Sequence, residues 1–219
     1  MRMILGKVGR LDRSVSSQLF TFGRHVPRFI WKIFEYSGDG IVWIAVSIVV
    51  LILGLNSSLD DGVQTLKLSS ELGKDAVIVG VNLLLGLVID LCEVGLLKWI
   101  AKRPRPVYNS ISNDMNVIVS VDAFSFPSGH SSRVSFLAQF AILLGHKYLA
   151  HGLIITWALT VAISRCMMGR HYLTDVIAGL ALGYVTLLAL TYGSMDREVF
   201  KVNAEAMIRI SSFEMSRSL

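Results

Sequence analysis

Long apolar blocks separated by short polar stretches form the main pattern along this 219-residue chain. Such blocks predict transmembrane helices, because about 20 apolar residues are needed to span the hydrocarbon core of a bilayer. Five blocks are clear: 41–55, 76–97, 134–149, 152–163 and 173–192. The third helix is predicted to begin near Ser128, and the fourth to continue toward Met168. The pattern therefore predicts an all-α, polytopic membrane helical bundle with about five transmembrane helices.

The polar flanks of these blocks divide the chain into three parts. Residues 1–37 mix seven Lys and Arg with aromatic and aliphatic residues, which is typical of interfacial helices lying along a membrane. A soluble amphipathic helix packed on the domain is the alternative. Residues 38–193 are predicted to form the transmembrane domain, with a polar loop at 56–75. Residues 194–219 are predicted to form a polar tail, with weak amphipathic character around 199–210.

Composition favours a membrane protein over a soluble helical one. Hydrophobic residues make up 53% of the chain and its mean hydropathy is positive. The net charge of +5 is better explained by anionic lipid head groups, loop orientation or a phosphate site than by nucleic acid. The two cysteines, Cys92 and Cys166, show neither a disulfide pattern nor a zinc spacing. Asp90 and Glu93 lie inside the second block, where they either hold basic residues of a site or make an interior polar contact.

A histidine and an aspartate four residues apart mark the first candidate site, at the start of the last apolar block. In a helix, His171 and Asp175 would share a face, so Asp175 would accept a hydrogen bond from one ring nitrogen of His171. The other ring nitrogen would then be free to act as a nucleophile. Arg165 would lie near an anionic substrate. Alone, the pair is equally compatible with an incidental surface contact in a polar loop.

Counting the predicted spans places two further polar stretches at the same membrane surface. The first carries four cations at a helix end: Lys98, Lys102, Arg103 and Arg105. Such a density of cations is suited to binding a phosphate. The alternative is that these cations only set the orientation of the chain in the membrane. The second is Phe126–His130, where a helix start offers free amides to an anion. There, His130 would donate a proton to a leaving oxygen, or be merely an exposed side chain.

Taken together, the stretches predict one site with several cations, an anion-binding helix start and two histidines. A metal site is the competing use of His130, His171 and Asp175. Crowded cations would repel a metal ion, so we expect an anion site with no metal and no cofactor.

These residues also carry a resemblance to the type-2 phosphatidic acid phosphatase superfamily. Its three motifs are matched in order by Lys98-x6-Arg105-Pro106, by Pro127-Ser128-Gly129-His130 and by Ser164-Arg165-x5-His171-x3-Asp175. Arg103 is out of register with the first motif, since position 96 is a leucine, and the role therefore falls to Arg105.

The resemblance implies a metal-independent phosphatase that works through a phosphohistidine. His171 is the implied nucleophile, Asp175 supports it, and His130 protonates the leaving oxygen and later activates water. The implied phosphate-binding groups are Lys98, Arg105, Ser128, Gly129 and Arg165. Their positive groups would stabilise the transferring phosphoryl group, as magnesium does in other enzymes.

Within the superfamily, the chain is most similar to the polyisoprenoid diphosphate, or presqualene diphosphate, phosphatase branch. The similarity lies in Leu11–Arg13, Tyr36–Gly40 and Phe124–His130. It implies isoprenoid diphosphates and related lipid phosphates as substrates, and the endoplasmic reticulum or nuclear envelope as location. The superfamily usually has six spans, and residues 14–34 are the candidate for a reduced sixth.

The distribution of Lys and Arg predicts a cytosol-facing site. The face with the predicted site carries 14 of them and the opposite face carries 7. Lipid phosphates and membrane lipids are the expected partners, and nucleic acid is not. Three alternatives to an isoprenoid phosphatase remain: a broad phosphatidic or lysophosphatidic acid phosphatase, a vanadate haloperoxidase of related fold, and a catalytically silent membrane scaffold.

Overall fold

The structure is a computed structural model that describes residues 2–58, 66–108, 124–145 and 148–193. These residues form a helical bundle, which confirms the predicted all-α class. The helices are α1 (Arg2–Gly23), α2 (Arg28–Ser37), α3 (Gly40–Ser58), α4 (Leu66–Ala101), α5 (Gly129–Leu143), α6 (Tyr148–Met167) and α7 (Leu173–Gly193).

Four of the described helices are long and apolar enough to cross a membrane. Their candidate spans are Gly40–Ser57, Gly73–Ala101, Ala150–Met167 and Leu173–Tyr192, which correspond to the first, second, fourth and fifth predicted blocks. The third block corresponds to α5, which begins at the predicted place but has 15 residues and ends at Leu143. At 1.5 Å per residue it is about 22 Å long, shorter than a hydrocarbon core of about 30 Å.

Large apolar side chains are exposed on the outer surface of the four spans. One example from each span is Ile52, Leu91, Leu153 and Ile177. Soluble proteins rarely expose contiguous apolar surface of this kind, whereas lipid-facing helices require it. The chain is therefore an integral membrane protein.

The prediction of a polar loop at 56–75 is wrong at both ends, because both ends are helical. Helix α3 continues through Ser58 and α4 already begins at Leu66. Apolar residues recur with a helical spacing at Leu68, Leu72 and Ala76, so the helix extends beyond the continuous apolar block. Residues 59–65 lie outside the described residues.

Other predictions fall partly outside the described residues. The polar tail 194–219, with its amphipathic stretch, is not described, nor are residues 109–123 of the basic segment between α4 and α5.

A pair of glycines on α7 allows this helix to approach α5 closely. A Cβ atom on Gly179 would lie 2.5 Å from the Ser128 carbonyl oxygen, and one on Gly183 would overlap the Ser132 carbonyl. Small residues four apart let membrane helices pack backbone to backbone in this way. As a result, the N-terminus of α5 lies beside that of α7, and the Ser128 amide donates to the Asp175 carbonyl at 3.0 Å.

The N-terminal segment forms α1 and α2, and both helices pack against α6. Leu19 of α1 contacts a cluster that includes Cys166, and Phe34 of α2 contacts a cluster that includes Val134. Other apolar side chains of the segment, such as Phe22 and Phe29, are exposed. One face of this segment is therefore built into the bundle, next to the ends of α5 and α7.

Candidate active site

The three predicted polar stretches meet at one end of the bundle. Ser125, just before α5, connects them, because its amide donates to the Arg103 carbonyl at 2.8 Å and its carbonyl contacts His171. The hydroxyl of Ser125 also donates to the Pro104 carbonyl at 3.1 Å. The convergence predicted from counting spans is thus present in the structure.

His171 is buried and held by a backbone carbonyl. Its Nδ1 lies 2.7 Å from the carbonyl oxygen of Ser125, and the residue is 2% exposed. Since a carbonyl oxygen can only accept, this contact requires the proton to be on Nδ1. In a neutral ring, Nε2 then keeps its lone pair, which is the form that a nucleophile needs.

The surroundings favour this neutral form of His171. Burial is the main cause that lowers the pKa of His171 well below its usual range. Three cations act in the same direction: Arg165, Arg105 and Lys98. A positive charge near the ring disfavours imidazolium, so the predicted phosphate-binding cations also keep His171 unprotonated.

The predicted hydrogen bond between His171 and Asp175 is not present in this geometry. The closest approach, from Nδ1 to Oδ2, is 3.9 Å, and the orienting role is taken by Ser125. The prediction assumed that both residues lie on one helix face, whereas α7 begins only at Leu173. Asp175 instead caps its own helix by accepting from the Tyr172 amide at 2.9 Å.

The remaining amides at the start of α7 are capped by α1. Ser16 Oγ accepts from the Leu173 amide at 2.8 Å, and Asp12 Oδ1 accepts from the Thr174 amide at 3.0 Å. The first amides of a helix have no partner within the helix, and here a distant segment supplies one. Helix α1 therefore fixes the turn that carries His171.

Arg103 connects these carboxylates. Its guanidinium donates to Asp175 Oδ1 at 2.6 Å and to Asp12 Oδ2 at 2.7 Å, and it lies over the ring of Tyr172 at 4.1 Å. Burial alone would raise the pKa of Asp12, but hydrogen bonds from Arg103 and Thr174 outweigh it and lower that pKa. Arg103 thus has a structural role, which agrees with assigning phosphate binding to Arg105.

His130 has an unsatisfied nitrogen at the centre of the site. It is the second residue of α5, and its Nε2 is buried with no hydrogen-bond partner among the described residues. A buried polar atom without a partner costs free energy unless a ligand satisfies it. Burial, followed by nearby cations such as Arg165, lowers the pKa of His130 well below its usual range, so the ring is neutral here. The negative charge of a bound phosphate would favour the protonated ring that a proton donor requires.

Ser128 and Gly129 form the helix start predicted to bind an anion. Ser128 is the N-cap of α5, and its Oγ accepts from the amide and hydroxyl of Ser131 at 3.4 and 2.8 Å. Both contacts use the oxygen as an acceptor, so the hydroxyl proton of Ser128 remains available to donate. A side chain on Gly129 would come within 3.3 Å of Val94, so the helix start is closely surrounded.

The predicted cations Lys98, Arg105 and Arg165 all lie near His171. Lys98 is 5% exposed and Arg105 half-buried, and both are close enough to affect the His171 ring. Arg165 is 2% exposed, and its NH1 donates to the carboxylate of Glu35 at 2.9 Å. Glu35 comes from α2 and was not among the predicted site residues.

The two acids of the second block have different contacts. Asp90 accepts from the Ser132 hydroxyl and lies 3.4 Å from Arg133, so it holds a basic residue of the helix that carries His130. Glu93 accepts from the Thr186 hydroxyl at 2.7 Å, which is an interior polar contact between α4 and α7.

A cavity of about 540 Å³ lies beside the site. Its wall combines aromatic and basic side chains with two methionines: Phe20, Trp31, Tyr108, Arg24, His25, Arg28, Met167 and Met168. Met168 connects the cavity to the site, because its sulfur is 3.9 Å from Arg165 NH1.

Asp12, Ser16, Glu35 and Ser125 were missed by the sequence analysis. Asp12 lies in Leu11–Arg13, a stretch that resembled one branch of the family, whereas Glu35 directly precedes another such stretch, Tyr36–Gly40. The Gly179–Gly183 spacing was visible in the sequence as a signal for close helix packing.

Both the sequence and the fold have counterparts among known proteins. The sequence profile of the PAP2 superfamily, the type-2 phosphatidic acid phosphatases, matches residues 77–198. A protein described as probable lipid phosphate phosphatase beta, from Arabidopsis thaliana, is 33% identical over 229 residues, covering 90% of this chain and 96% of that protein. Phosphatidylglycerophosphatase B of Bacillus subtilis is 35% identical over 97 residues, covering 40% of this chain and 44% of that protein.

The fold also has a solved counterpart. The crystal structure of Aquifex aeolicus LpxE superimposes with a TM-score of 0.53 at 19% identity, covering 80% of this chain and 93% of that chain. The profile match extends over more than half of the chain, and the Arabidopsis relative is similar along nearly its whole length. The resemblance found in the three motifs is thereby confirmed, and the chain belongs to the PAP2 superfamily.

Proposed function

We propose that this protein is a membrane lipid phosphatase that hydrolyses isoprenoid diphosphates and related lipid phosphates through a phosphohistidine, without a metal. Relatives described as lipid phosphate phosphatase and phosphatidylglycerophosphatase support a phosphorylated lipid as substrate. The observation that carries the proposal is the Nδ1 contact of the buried His171, which leaves Nε2 as a lone pair among cations.

The first step is attack on phosphorus. His171 Nε2 forms a bond to the phosphorus atom, and the bond from phosphorus to the leaving oxygen breaks with its electron pair on that oxygen. His130 donates the proton that the leaving oxygen takes up. Lys98, Arg105 and Arg165 stabilise the negative charge on the other phosphate oxygens. The Ser128 hydroxyl and the Gly129 amide donate to these oxygens as well.

The second step releases phosphate. His130, now without its proton, takes one from a water molecule that attacks the phosphohistidine. The bond between phosphorus and Nε2 breaks, and the electron pair returns to His171. Asp175 supports this cycle through the backbone and Arg103 contacts that fix the start of α7, rather than by a direct bond to the ring.

The cavity beside the site supports an isoprenoid diphosphate as substrate. After attack on the terminal phosphate, the leaving group of such a substrate still carries one phosphate. Arg24, His25 and Arg28 would bind that phosphate, and the aromatic walls suit the first isoprene unit. A phosphatidic acid phosphatase would not need a second cluster of cations, which makes it the second candidate.

A catalytically silent scaffold is the remaining alternative. It would not require a buried histidine nitrogen without a partner, such as His130 Nε2. The vanadate-dependent haloperoxidases are not favoured, because this bundle is built from membrane spans.

The test is phosphate release by the detergent-solubilised protein from farnesyl diphosphate and from phosphatidic acid, each with excess EDTA. We expect release from the diphosphate to exceed release from phosphatidic acid, to persist in EDTA, and to vanish in His171→Ala. A preference for phosphatidic acid would favour the second candidate. Loss of release in EDTA, or activity in the variant, would overturn the mechanism. No release by folded wild type from either lipid would favour the scaffold.

The proposed location is the endoplasmic reticulum or the nuclear envelope, with the active site facing the cytosol. The excess of Lys and Arg on the face of the site supports this orientation. An N-terminal tag should be digested by protease added to sealed microsomes, and protection of the tag would reverse the orientation.

A further inference from the structure

Glu35 places a carboxylate against the arginine of the third motif. Its Oε1 lies 2.9 Å from Arg165 NH1 and 3.5 Å from Arg170 NH1. The Arg165 side chain is 3% exposed and that of Glu35 15% exposed, so water screens this pair poorly. Removing one partner from a buried ion pair leaves the other charge uncompensated.

The position of Glu35 is fixed by the docking of α2. Phe34 packs against a buried cluster that includes Val134 and Val161. At the end of α2, Ser37 accepts hydrogen bonds from two tryptophans. The indole of Trp157 donates to its hydroxyl at 3.0 Å, and the indole of Trp43 donates to its carbonyl at 2.7 Å.

The next residue, Gly38, lies at a point of very close packing. A Cβ atom there would lie 2.9 Å from Val161 and 3.6 Å from the ring of His130. The C-terminal end of α2 is therefore held against the helices that carry His130 and Arg165.

Arg165 uses only part of its guanidinium in these contacts. NH1 interacts with Glu35 and with the sulfur of Met168, whereas Nε is buried and has no hydrogen-bond partner among the described residues. A guanidinium is planar and rigid, so fixing one terminal nitrogen also fixes the direction of the others. The remaining donors are then directed before any substrate arrives.

We propose that Glu35 is a positioning residue for phosphoryl transfer: its carboxylate holds Arg165 by NH1 and thereby presents the other guanidinium donors to the substrate phosphate. The proposal rests on the phosphatase activity proposed above. It makes α2 a working part of the active site rather than only an interfacial anchor.

Charge gives a second reason for this role. Arg165 and Arg170 both face Glu35, so its carboxylate contacts two positively charged groups. Without the carboxylate, the two cations would repel each other and Arg165 would turn away. A displacement of about 1 Å in a positioned group is enough to cost about 100-fold in rate.

The test compares variants of Glu35 with a matched variant of the same helix. We expect Glu35→Ala to lower kcat/KM by about 10- to 100-fold, and Glu35→Gln to lower it less because the amide oxygen still accepts from Arg165. Ile33→Ala changes an exposed side chain of the same helix and removes neither the carboxylate nor the docking contacts, so it should keep kcat/KM within about threefold of wild type. If Ile33→Ala and Glu35→Ala were equally impaired, a general disturbance of α2 would explain the effect and the proposal would fail.

A double-mutant cycle asks whether Glu35 acts through Arg165. In an Arg165→Ala background, Glu35→Ala should have little further effect on kcat/KM, since the group to be positioned is already absent. An undiminished effect in that background would show that Glu35 acts elsewhere.

Binding of inorganic phosphate separates this proposal from the activity itself. Measured by calorimetry on the detergent-solubilised full chain, the phosphate Kd should rise by about tenfold in Glu35→Ala, whether or not a lipid substrate is known. Tighter phosphate binding would instead mean that the carboxylate occupies the place of the phosphate, which overturns positioning. Wild type that binds phosphate but cleaves no tested lipid would count against the proposed function, and not against the role of Glu35.

Discussion

The two sides of His171 are built in different ways. Behind the ring, all four carboxylate oxygens of Asp12 and Asp175 accept hydrogen bonds. On the side of the motif cations, His130 Nε2 and Arg165 Nε are buried without a partner among the described residues. A fully satisfied network is rigid, whereas unsatisfied donors mark the place of a missing ligand. The first side therefore holds His171 in place, and the second side is where we expect the phosphate to bind.

The largest effect is expected from the side facing the substrate. His130→Ala should lower kcat by about 100- to 10,000-fold, because the leaving oxygen loses its proton donor. Tm should fall only slightly, since Nε2 makes no hydrogen bond that could be lost and only the packing of the ring is removed. Steady-state kinetics and a thermal melt in the same detergent check both points. A large fall in Tm would place His130 in the supporting network.

Disruption of the supporting side should reduce stability and activity together. Asp12→Ala removes the acceptor of the Thr174 amide and one partner of Arg103, and should cost about 3 kcal/mol in the free energy of unfolding. The turn that carries His171 would loosen, so kcat should fall too. Leu11→Ala, at an exposed neighbouring position, is the control and should change neither the free energy of unfolding nor kcat. An Asp12→Ala protein with unchanged Tm and kcat would contradict the support assigned to α1.

The close contact between α5, which carries His130, and α7, which follows His171, depends on the glycines of α7. Gly183→Val would push α7 away from the Ser132 carbonyl and should cost about 1–3 kcal/mol, with a loss of activity as the histidines separate. Gly152→Val is the matched control, since nothing lies within 4 Å of a Cβ at that position of α6. Thermal melts and phosphate release check this pair, and equal effects of the two substitutions would argue against a special α5–α7 contact.

The smallest expected effect is a shift of the pH dependence of activity. Because the pKa of His171 is lowered in the protein without substrate, its ring stays neutral as the pH falls through 6.5. The acidic limb of kcat/KM, which reports the free enzyme, should therefore lie below that value. Lys98→Met removes one of the cations that lower this pKa, so the limb should move to higher pH. Lys102→Met is the control, because Lys102 is exposed and lies over the Trp99 ring. A limb that moves equally in both variants, or not at all in Lys98→Met, would contradict the electrostatic account.

Much of the fold was predictable from apolar blocks and local motifs. Helix α7 starts at the predicted Leu173, and α5 is capped by Ser128 as expected, since both features depend on residues close in sequence. The supporting contacts were not predictable in the same way. Asp12 and Thr174 are 162 positions apart and Glu35 and Arg165 are 130 apart, and hydropathy carries no information on such pairs.

The role of Asp175 shows a second limit of sequence reasoning. A spacing of four places two residues on one face only where both are helical, and His171 precedes the helix. The carboxylate at the third helical position instead reaches back to cap the helix, which is its common use. The contact predicted for Asp175 was wrong, and its part in catalysis stays a prediction.

The central claim is that His171 becomes phosphorylated, and the most direct measurement is to trap that intermediate. Protein mixed briefly with substrate labelled at the terminal phosphate should be quenched in alkali, where phosphohistidine survives, and then exposed to acid, where it is lost. Wild type should carry acid-labile label, and His171→Ala should carry none. Label that survives acid, or that persists on His171→Ala, would contradict it.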